Sequence, residues 1–270
     1  MAGDVWRENV TVVTGASSGI GRAVALRLAE QGAWLVLASP ETDDLAHVAA
    51  ACRERGGRAI AVTTDVADET RCEVLIDRAV AEFGRLDTLI NNAGVGFIAR
   101  LHELPDLRTF ERVMRINFLG SVYCAYHALP HLKAAHGRLV GVSSIMGKFA
   151  APRNTAYCAS KHSLAGFYDA LRSEVRKTVS VTVIYPNLVA SSFPERLLES
   201  DGRPRGERGK RLIHPRMMTA DTCARHILVA AARRRRERVL TFQGRLSLWL
   251  KLLIPSLLDA GTRKTLRTWK

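Results

Sequence analysis

The chain has 270 residues, 47% of them hydrophobic, and carries 40 Lys and Arg against 26 Asp and Glu, a formal net charge of +14. That length buries a large core and suits one α/β domain. Five cysteines, Cys52, Cys72, Cys124, Cys158 and Cys223, are odd in number, widely spaced and without a CxxC pair, which excludes a disulfide framework and a zinc site and fits a reducing cytosol. The residues before the first apolar run, Asp4 and Glu8 among them, are the wrong layout for a secretory signal, so a cytoplasmic location is expected. Charge is uneven: residues 1–202 hold 22 basic and 22 acidic residues, residues 203–270 hold 18 and 4. The excess therefore belongs to the last quarter, as an attraction for anionic lipid, a phosphate-bearing carrier or nucleic acid, or as a solvated surface.

In chain order, short apolar runs alternate with runs of helical period: 10–14 then 19–31, 33–38 then 42–55, 59–63 then 68–83, and 86–90. A helical stretch over 107–134, a strand at 138–142, a helix over 155–177 and a strand at 180–185 follow. Strands such as Trp34-Leu35-Val36-Leu37-Ala38 are continuously apolar, as strands buried on both faces must be. The rhythm predicts a Rossmann-type, doubly wound parallel sheet with helices on both faces, in a single domain over 1–243. Residues 190–218 are rich in Gly, Pro and charge and lack periodicity, a long loop of the functional kind. A helix over 219–232, opened by Thr219 or Asp221, and a strand at 238–241 complete the domain, and 244–270 form a basic, apolar tail.

Four separated motifs carry chemistry. Gly15-x-x-x-Gly19-x-Gly21 follows an apolar strand and opens a helix, where glycine lets the backbone approach a pyrophosphate and free N–H groups attract its charge. Ser17 and Ser18 add hydroxyl donors. Asn91-Asn92-Ala93-Gly94 follows the fourth strand, where small residues let the loop pass beside a ligand. Ser144 stands just past the fifth strand, and Tyr157 and Lys161 lie one helical turn apart. Hydride transfer to a carbonyl leaves charge on its oxygen, so a proton donor must stand beside it. A free tyrosine titrates near 10, and a nearby ammonium is expected to lower that value.

Together these motifs resemble the short-chain dehydrogenase/reductase family, from about Val10 to Ser191. The resemblance implies a catalytic set of Asn117, Ser144, Tyr157 and Lys161. Ser144 would bond the substrate oxygen, Lys161 would also hold the nicotinamide ribose, and Asn117 would complete a proton path through water. The implied cofactor groove comprises Gly15, Ser17, Ser18, Gly19, Ile20, Gly21, Ser39, Asp65, Val66, Asn91, Ala93, Gly94, Tyr157, Lys161, Pro186, Val189 and Ser191. Within it Asp65 would meet the adenine ring, although an aspartate after a strand also simply starts a turn. Asn91 would brace the sheet as much as touch ligand. At the end of the second strand, where an acid selects NAD and an arginine NADP, stand Ser39 and Pro40. A Ser39 cap and Pro40 as first helical residue are the structural reading of that pair. Glu41 lies within reach of a ribose hydroxyl, and the small neutral Ser39 tips the reading slightly toward NADP over NAD. Two positions depart from the family: Pro186-Asn187 replaces the usual Pro-Gly, and Ser191 replaces a threonine while keeping its hydroxyl. The resemblance also implies a mobile cover over the substrate at 190–218, and a homodimer or homotetramer paired through the helices that hold Asn117 and Tyr157.

His127, His131 and His136 lack a carboxylate or cysteine to complete a site, so no metal is expected. Arg233 to Arg236 lack a recognition motif, which argues against sequence-specific nucleic-acid binding. The apolar run 244–258, with Trp249 and the cations Arg245, Arg263, Lys264 and Arg267, is too short to span a bilayer. It is expected to pack over the pocket or a second subunit, with peripheral membrane contact as the other reading. The functional expectation is an NAD(P)-dependent oxidoreductase interconverting hydroxyl and carbonyl on an apolar, lipid-like substrate. Its rival is a non-catalytic cofactor-binding scaffold held to a membrane or partner by the tail.

Overall fold

The computed structural model describes residues 5–214, 217–254 and 256. Seven parallel strands form one sheet in the order β3-β2-β1-β4-β5-β6-β9. They are β1 (Val10–Thr14), β2 (Trp34–Ser39), β3 (Arg58–Thr63), β4 (Thr88–Asn91), β5 (Arg138–Val142), β6 (Ser180–Tyr185) and β9 (Glu237–Val239). The order reverses between β1 and β4, and the crevice beyond their C-terminal ends is where such sheets take ligands. Helices α1 (Gly19–Ala29), α2 (Thr42–Glu54) and α8 (Ala220–Ala232) cover one face, burying Val24, Leu28, Leu45 and Ile227 against Val13 and Leu35. Helices α3 (Glu69–Phe83), α5 (Gly120–Ala134) and α6 (Thr155–Val175) cover the other, where Leu75, Leu132, Leu164 and Tyr168 meet Val12 and Leu89. The five cysteines are free and buried in these layers.

Local chemistry explains the helix ends. Asp68 accepts from the backbone of Thr70 and Arg71 to start α3, and Gly84 ends it in the left-handed conformation. Thr219, rather than Asp221, caps α8 by accepting from Thr222 N; Asp221 instead pairs with Arg27. Two sequence expectations fail. The predicted helix over 107–134 is broken into α4 (Arg108–Met114), a π turn (Arg115–Leu119) and α5. Ser39 does not cap a helix starting at Pro40, because α2 begins at Thr42 with Glu41 at its N-cap.

The long loop after β6 is built from short pieces. Strand β7 (Val189–Ala190) pairs with β8 (Met218–Thr219), and a 3-10 turn (Phe193–Arg196) and α7 (Glu207–Lys210) lie between them. Helix α9 (Phe242–Leu253) follows β9, with Thr241 accepting from Gly244 N at its start. Most of its apolar side chains are exposed, so within this chain they do not pack over the pocket; the expectation of packing there or against a second subunit is left with its second half. Arg263, Lys264 and Arg267, counted with the tail, lie outside the described residues. Among the described residues, no helix is long and apolar enough to cross a membrane. The arginine run is partly structural: Arg234 donates to the carbonyls of His136 and Gly137, and Arg236 pairs with Asp169.

Gly141 in β5 leaves room for the ring of Tyr168, whose hydroxyl accepts from Asn91 Nδ2 at 3.1 Å. A Cβ at position 141 would fall 2.1 Å from Tyr168 Cε2. Gly141→Ala is therefore expected to destabilise the protein by about 1–3 kcal/mol, as overpacking of a tight core does, read from the urea midpoint at unchanged slope.

Candidate active site

The turn between β1 and α1 is shaped by two close approaches. Gly15 has φ +64°, and a Cβ there would lie 2.8 Å from Ala93 Cα; a Cβ on Gly21 would lie 2.1 Å from Gly15 O. No side chain fits at either position, so the backbone of the turn stays open at the helix start, where anions bind. Ser18 sits at the N-cap without bonding its own helix, which leaves its hydroxyl available on the pocket wall. The loop after β4 is pinned onto this turn. Thr14 Oγ1 accepts from the backbone of Asn92 and Ala93 at 3.0 Å each, and Asn92 Nδ2 donates to the carbonyls of Thr14 and Gly15 at 3.0 and 3.2 Å. Sequence reasoning gave neither Thr14 nor Asn92 this role, since it arises only when two distant loops meet.

A single pocket gathers Gly15, Ser18, Gly19, Ile20, Ala93, Gly94, Ser144, Tyr157, Lys161, Pro186, Val189 and Ser191. Helix α6 supplies Tyr157 and Lys161 from one turn of one face. Ser144 caps the 3-10 turn Ile145–Gly147, accepting from Met146 N at 3.2 Å, and also hydrogen-bonds the Tyr157 phenol. The neighbouring Ser143 is held elsewhere: its hydroxyl donates to the Lys161 carbonyl at 3.1 Å.

Burial raises the Tyr157 pKa to about 12 despite the bond with Ser144, which favours the phenolate. Burial lowers Lys161 to about 8. Its Nζ donates to Val142 O at 3.2 Å and lies 5.8 Å from the centre of the Tyr157 ring. The expectation that the Lys161 ammonium lowers the tyrosine is therefore not met here: loss of solvent outweighs an ammonium held on a carbonyl rather than on the phenol.

Asn117 occupies the π turn between α4 and α5, a helix irregularity often found at functional sites. It is fully buried. Its Oδ1 accepts from Val95 N at 2.7 Å, and its Nδ2 donates to Val95 O and Ser160 Oγ at 2.9 and 3.1 Å. A Cβ on Gly94 would stand 3.1 Å from Asn117 Oδ1 and 3.4 Å from Lys161 Nζ, so these three residues meet at one point of the pocket.

Other expected cofactor residues stand outside this pocket wall. Ser39 Oγ donates to Ser17 Oγ at 2.9 Å and to the Glu41 carboxylate, and Ser17 Oγ donates to the same carboxylate at 2.9 Å. Arg196, from the loop after β7, lies 3.4 Å from the other Glu41 oxygen. Burial works to raise the Glu41 pKa, but the Ser39 and Ser17 hydroxyls and Arg196 together hold it below the ordinary glutamate value. Asp65 is exposed and accepts from Ala67 N, the turn-forming role, while Val66 packs against Gly120. Asn91 faces α5 and α6, donating to Ser121 O and the Tyr168 hydroxyl. The structure also adds an apolar wall that the sequence did not single out: Ile145, Met146, Phe193, Leu197, Leu212 and Met217. The Phe193 ring centre lies 6.0 Å from that of Tyr157.

The comparisons with known proteins agree with this geometry. Residues 9–201 match the family model for short chain dehydrogenase. The chain is 36% identical over 229 residues to the 11-beta-hydroxysteroid dehydrogenase-like 6 of Arabidopsis thaliana, covering 83% of this chain and 67% of that protein. It is 32% identical over 259 residues to the 11-beta-hydroxysteroid dehydrogenase A of Sesamum indicum, covering 93% of this chain and 73% of that protein. A short chain dehydrogenase/reductase from Burkholderia phymatum solved in complex with NAD superposes with a TM-score of 0.83 at 26% identity, over 93% of this chain and 95% of that one. An alcohol dehydrogenase from Thermococcus sibiricus complexed with 5-hydroxy-NADP gives 0.74 at 25% identity, over 86% and 95%. The chain belongs to the short-chain dehydrogenase/reductase family. It is an NAD(P)-dependent oxidoreductase.

The buried Lys161 sets a pH dependence of stability. Its folded pKa of about 8 lies below the ordinary lysine value of 10.5, so between those limits the unfolded chain binds more protons and stability rises with pH. Below pH 8 both states are charged and the burial cost is fully present. Lys161→Met is expected to gain on the wild type at pH 7, by an amount on the order of 2 kcal/mol, and to lose that gain toward pH 10. Urea unfolding of both proteins at the two pH values measures it.

Proposed function

We propose that this protein reduces a carbonyl on an apolar, lipid-like substrate to the alcohol, with Tyr157 as the proton donor. The observation that carries the reading is the convergence of Ser144, Tyr157 and Lys161 on one pocket that also holds an apolar wall of Ile145, Met146, Phe193, Leu197, Leu212 and Met217. The residues present fit a nicotinamide dinucleotide: the Gly15 and Gly21 positions leave backbone that no side chain covers, and Ser18 offers a hydroxyl beside it. When bound, that cofactor supplies or takes up the hydride.

The protein groups do the rest. With its pKa raised to about 12 by burial, Tyr157 holds its proton at neutral pH and can give it to an oxygen that gains charge in the reduction. Ser144, bonded to the same phenol, aligns the carbonyl oxygen. Lys161 presents its buried ammonium to ribose hydroxyls and supports charge on the phenol as the proton leaves. Asn117 holds the Val95 backbone so that the loop at Gly94 keeps its place beside Lys161, and in the family's manner it would carry the proton path to solvent. The relatives named for a hydroxysteroid dehydrogenase activity agree with a bulky apolar substrate. The working form in this reading is a cytoplasmic homodimer or homotetramer.

Glu41 bears on the choice of cofactor. A neutral Ser39 favours NADP slightly on its own. However, the Ser39 hydroxyl is engaged by an ionised Glu41, and a carboxylate at the ribose corner accepts from hydroxyls and repels a phosphate. NAD is therefore the preferred cofactor in this reading.

Two variants test the proposal. Tyr157→Phe should lower the reduction of hydrophobic ketones by about 10²–10⁴-fold while leaving NADH affinity within about twofold. Turnover that survives this change would overturn the assignment of the proton donor, and a wild type inert toward steroid, retinoid and acyl carbonyls would favour a scaffold. Glu41→Gln should move the ratio of NADH to NADPH affinity about tenfold toward NADPH, a difference of about 1.4 kcal/mol. An unchanged ratio would remove Glu41 from cofactor selection.

A further inference from the structure

We propose that α9 is a docking surface for an anionic lipid membrane, set beside the wall of the substrate pocket. Phe242, Leu246, Trp249 and Leu253 recur at helical spacing and form one stripe. All four are exposed, Phe242 at 74%, Trp249 at 65% and Leu253 at 73%, and Leu252 and Ile254 widen the patch. Scattered apolar side chains on a surface are ordinary, but a contiguous stripe along one helix face marks an interaction site.

Charge identifies the occupant. Helix α9 carries Arg245 and Lys251 and no acidic residue, and the chain from 203 onward holds 18 basic residues against 4 acidic ones. A second copy would bring the same cationic surface, on a chain of net charge +14, against this one. An anionic bilayer meets both needs, taking the apolar stripe into its interfacial layer while its headgroups attract the cations. The placement serves a lipid-like substrate. Gly244 packs so closely that a Cβ there would lie 3.0 Å from Val239 and 3.1 Å from Ile145, a residue of the pocket wall. Lys251 Nζ donates to Lys148 O, fastening the far end of α9 beside the same 3-10 turn. The pocket wall thus lies directly behind the helix whose opposite face would rest on lipid.

The test is sedimentation of the full chain with vesicles of phosphatidylcholine alone and of phosphatidylcholine with phosphatidylserine. The wild type should bind the anionic vesicles, less so at high salt, and bind the neutral ones weakly. Trp249→Glu with Leu253→Glu, both at exposed positions, should weaken binding at least about tenfold while cofactor binding and melting temperature stay unchanged. The difference in fluorescence between wild type and Trp249→Phe should shift to the blue when anionic vesicles are added. Absence of vesicle binding, or binding that the double variant leaves intact, would overturn the proposal. So would a wild-type dimer that the double variant dissociates, since α9 would then face a second copy. Retained NADH turnover by Tyr157-intact variants that have lost vesicle binding keeps this outcome separate from failure of the enzymatic reading.

Discussion

A buried ammonium governs the architecture of the site. Lys161 is nearly inaccessible to solvent, and a cation without water must find oxygen nearby or lose its proton. The Val142 carbonyl at the end of β5 supplies one such oxygen, and the fall of its pKa to about 8 measures how incompletely that replaces water. The surroundings follow from this residue. Gly94 must be small because Lys161 Nζ and Asn117 crowd it; Asn117 must bond both groups of Val95 to hold that loop; Ser143 bonds the Lys161 carbonyl and joins β5 to α6. Lys161 thus stands where three separate segments of the chain meet.

The same low-polarity setting explains the contrast between neighbours. Burial pushes Tyr157 up and Lys161 down, because each is driven toward its neutral form. At neutral pH the phenol therefore keeps its proton, while the amine, with its pKa near 8, is still mostly an ammonium. The apolar side chains of Phe193, Leu197, Leu212 and Met217 face the same pocket, with the Phe193 ring centre 6.0 Å from that of Tyr157.

Much of this was legible in sequence because the relevant constraints are local. Gly15, Gly19 and Gly21 lie within one turn, and Tyr157 and Lys161 within one helical step, so spacing alone places them together. Asn117 was legible only through the family pattern; its π turn interrupts what reads as one helix, since the bulge is imposed by the tertiary bonds of Asn117 to Val95 and Ser160. The corner of Ser17, Ser39, Glu41 and Arg196 includes a bond between Glu41 and Arg196, 155 residues apart, and no period announces it. Asp65, a motif position, also completes a local turn by accepting from Ala67 N. The loop from 190 to 218 hid its pocket residues because short pieces held by β7–β8 pairing leave no periodic trace.

The most direct test of the central claim is a fluorescence titration of the purified wild type with NADH and, in parallel, NADPH. The account predicts saturable binding to one site, tighter for NADH, with release on adding NAD. Failure of both cofactors to saturate the protein at near-millimolar concentration would contradict it, because the groove between the glycine turn and Lys161 would then hold something other than a nicotinamide dinucleotide.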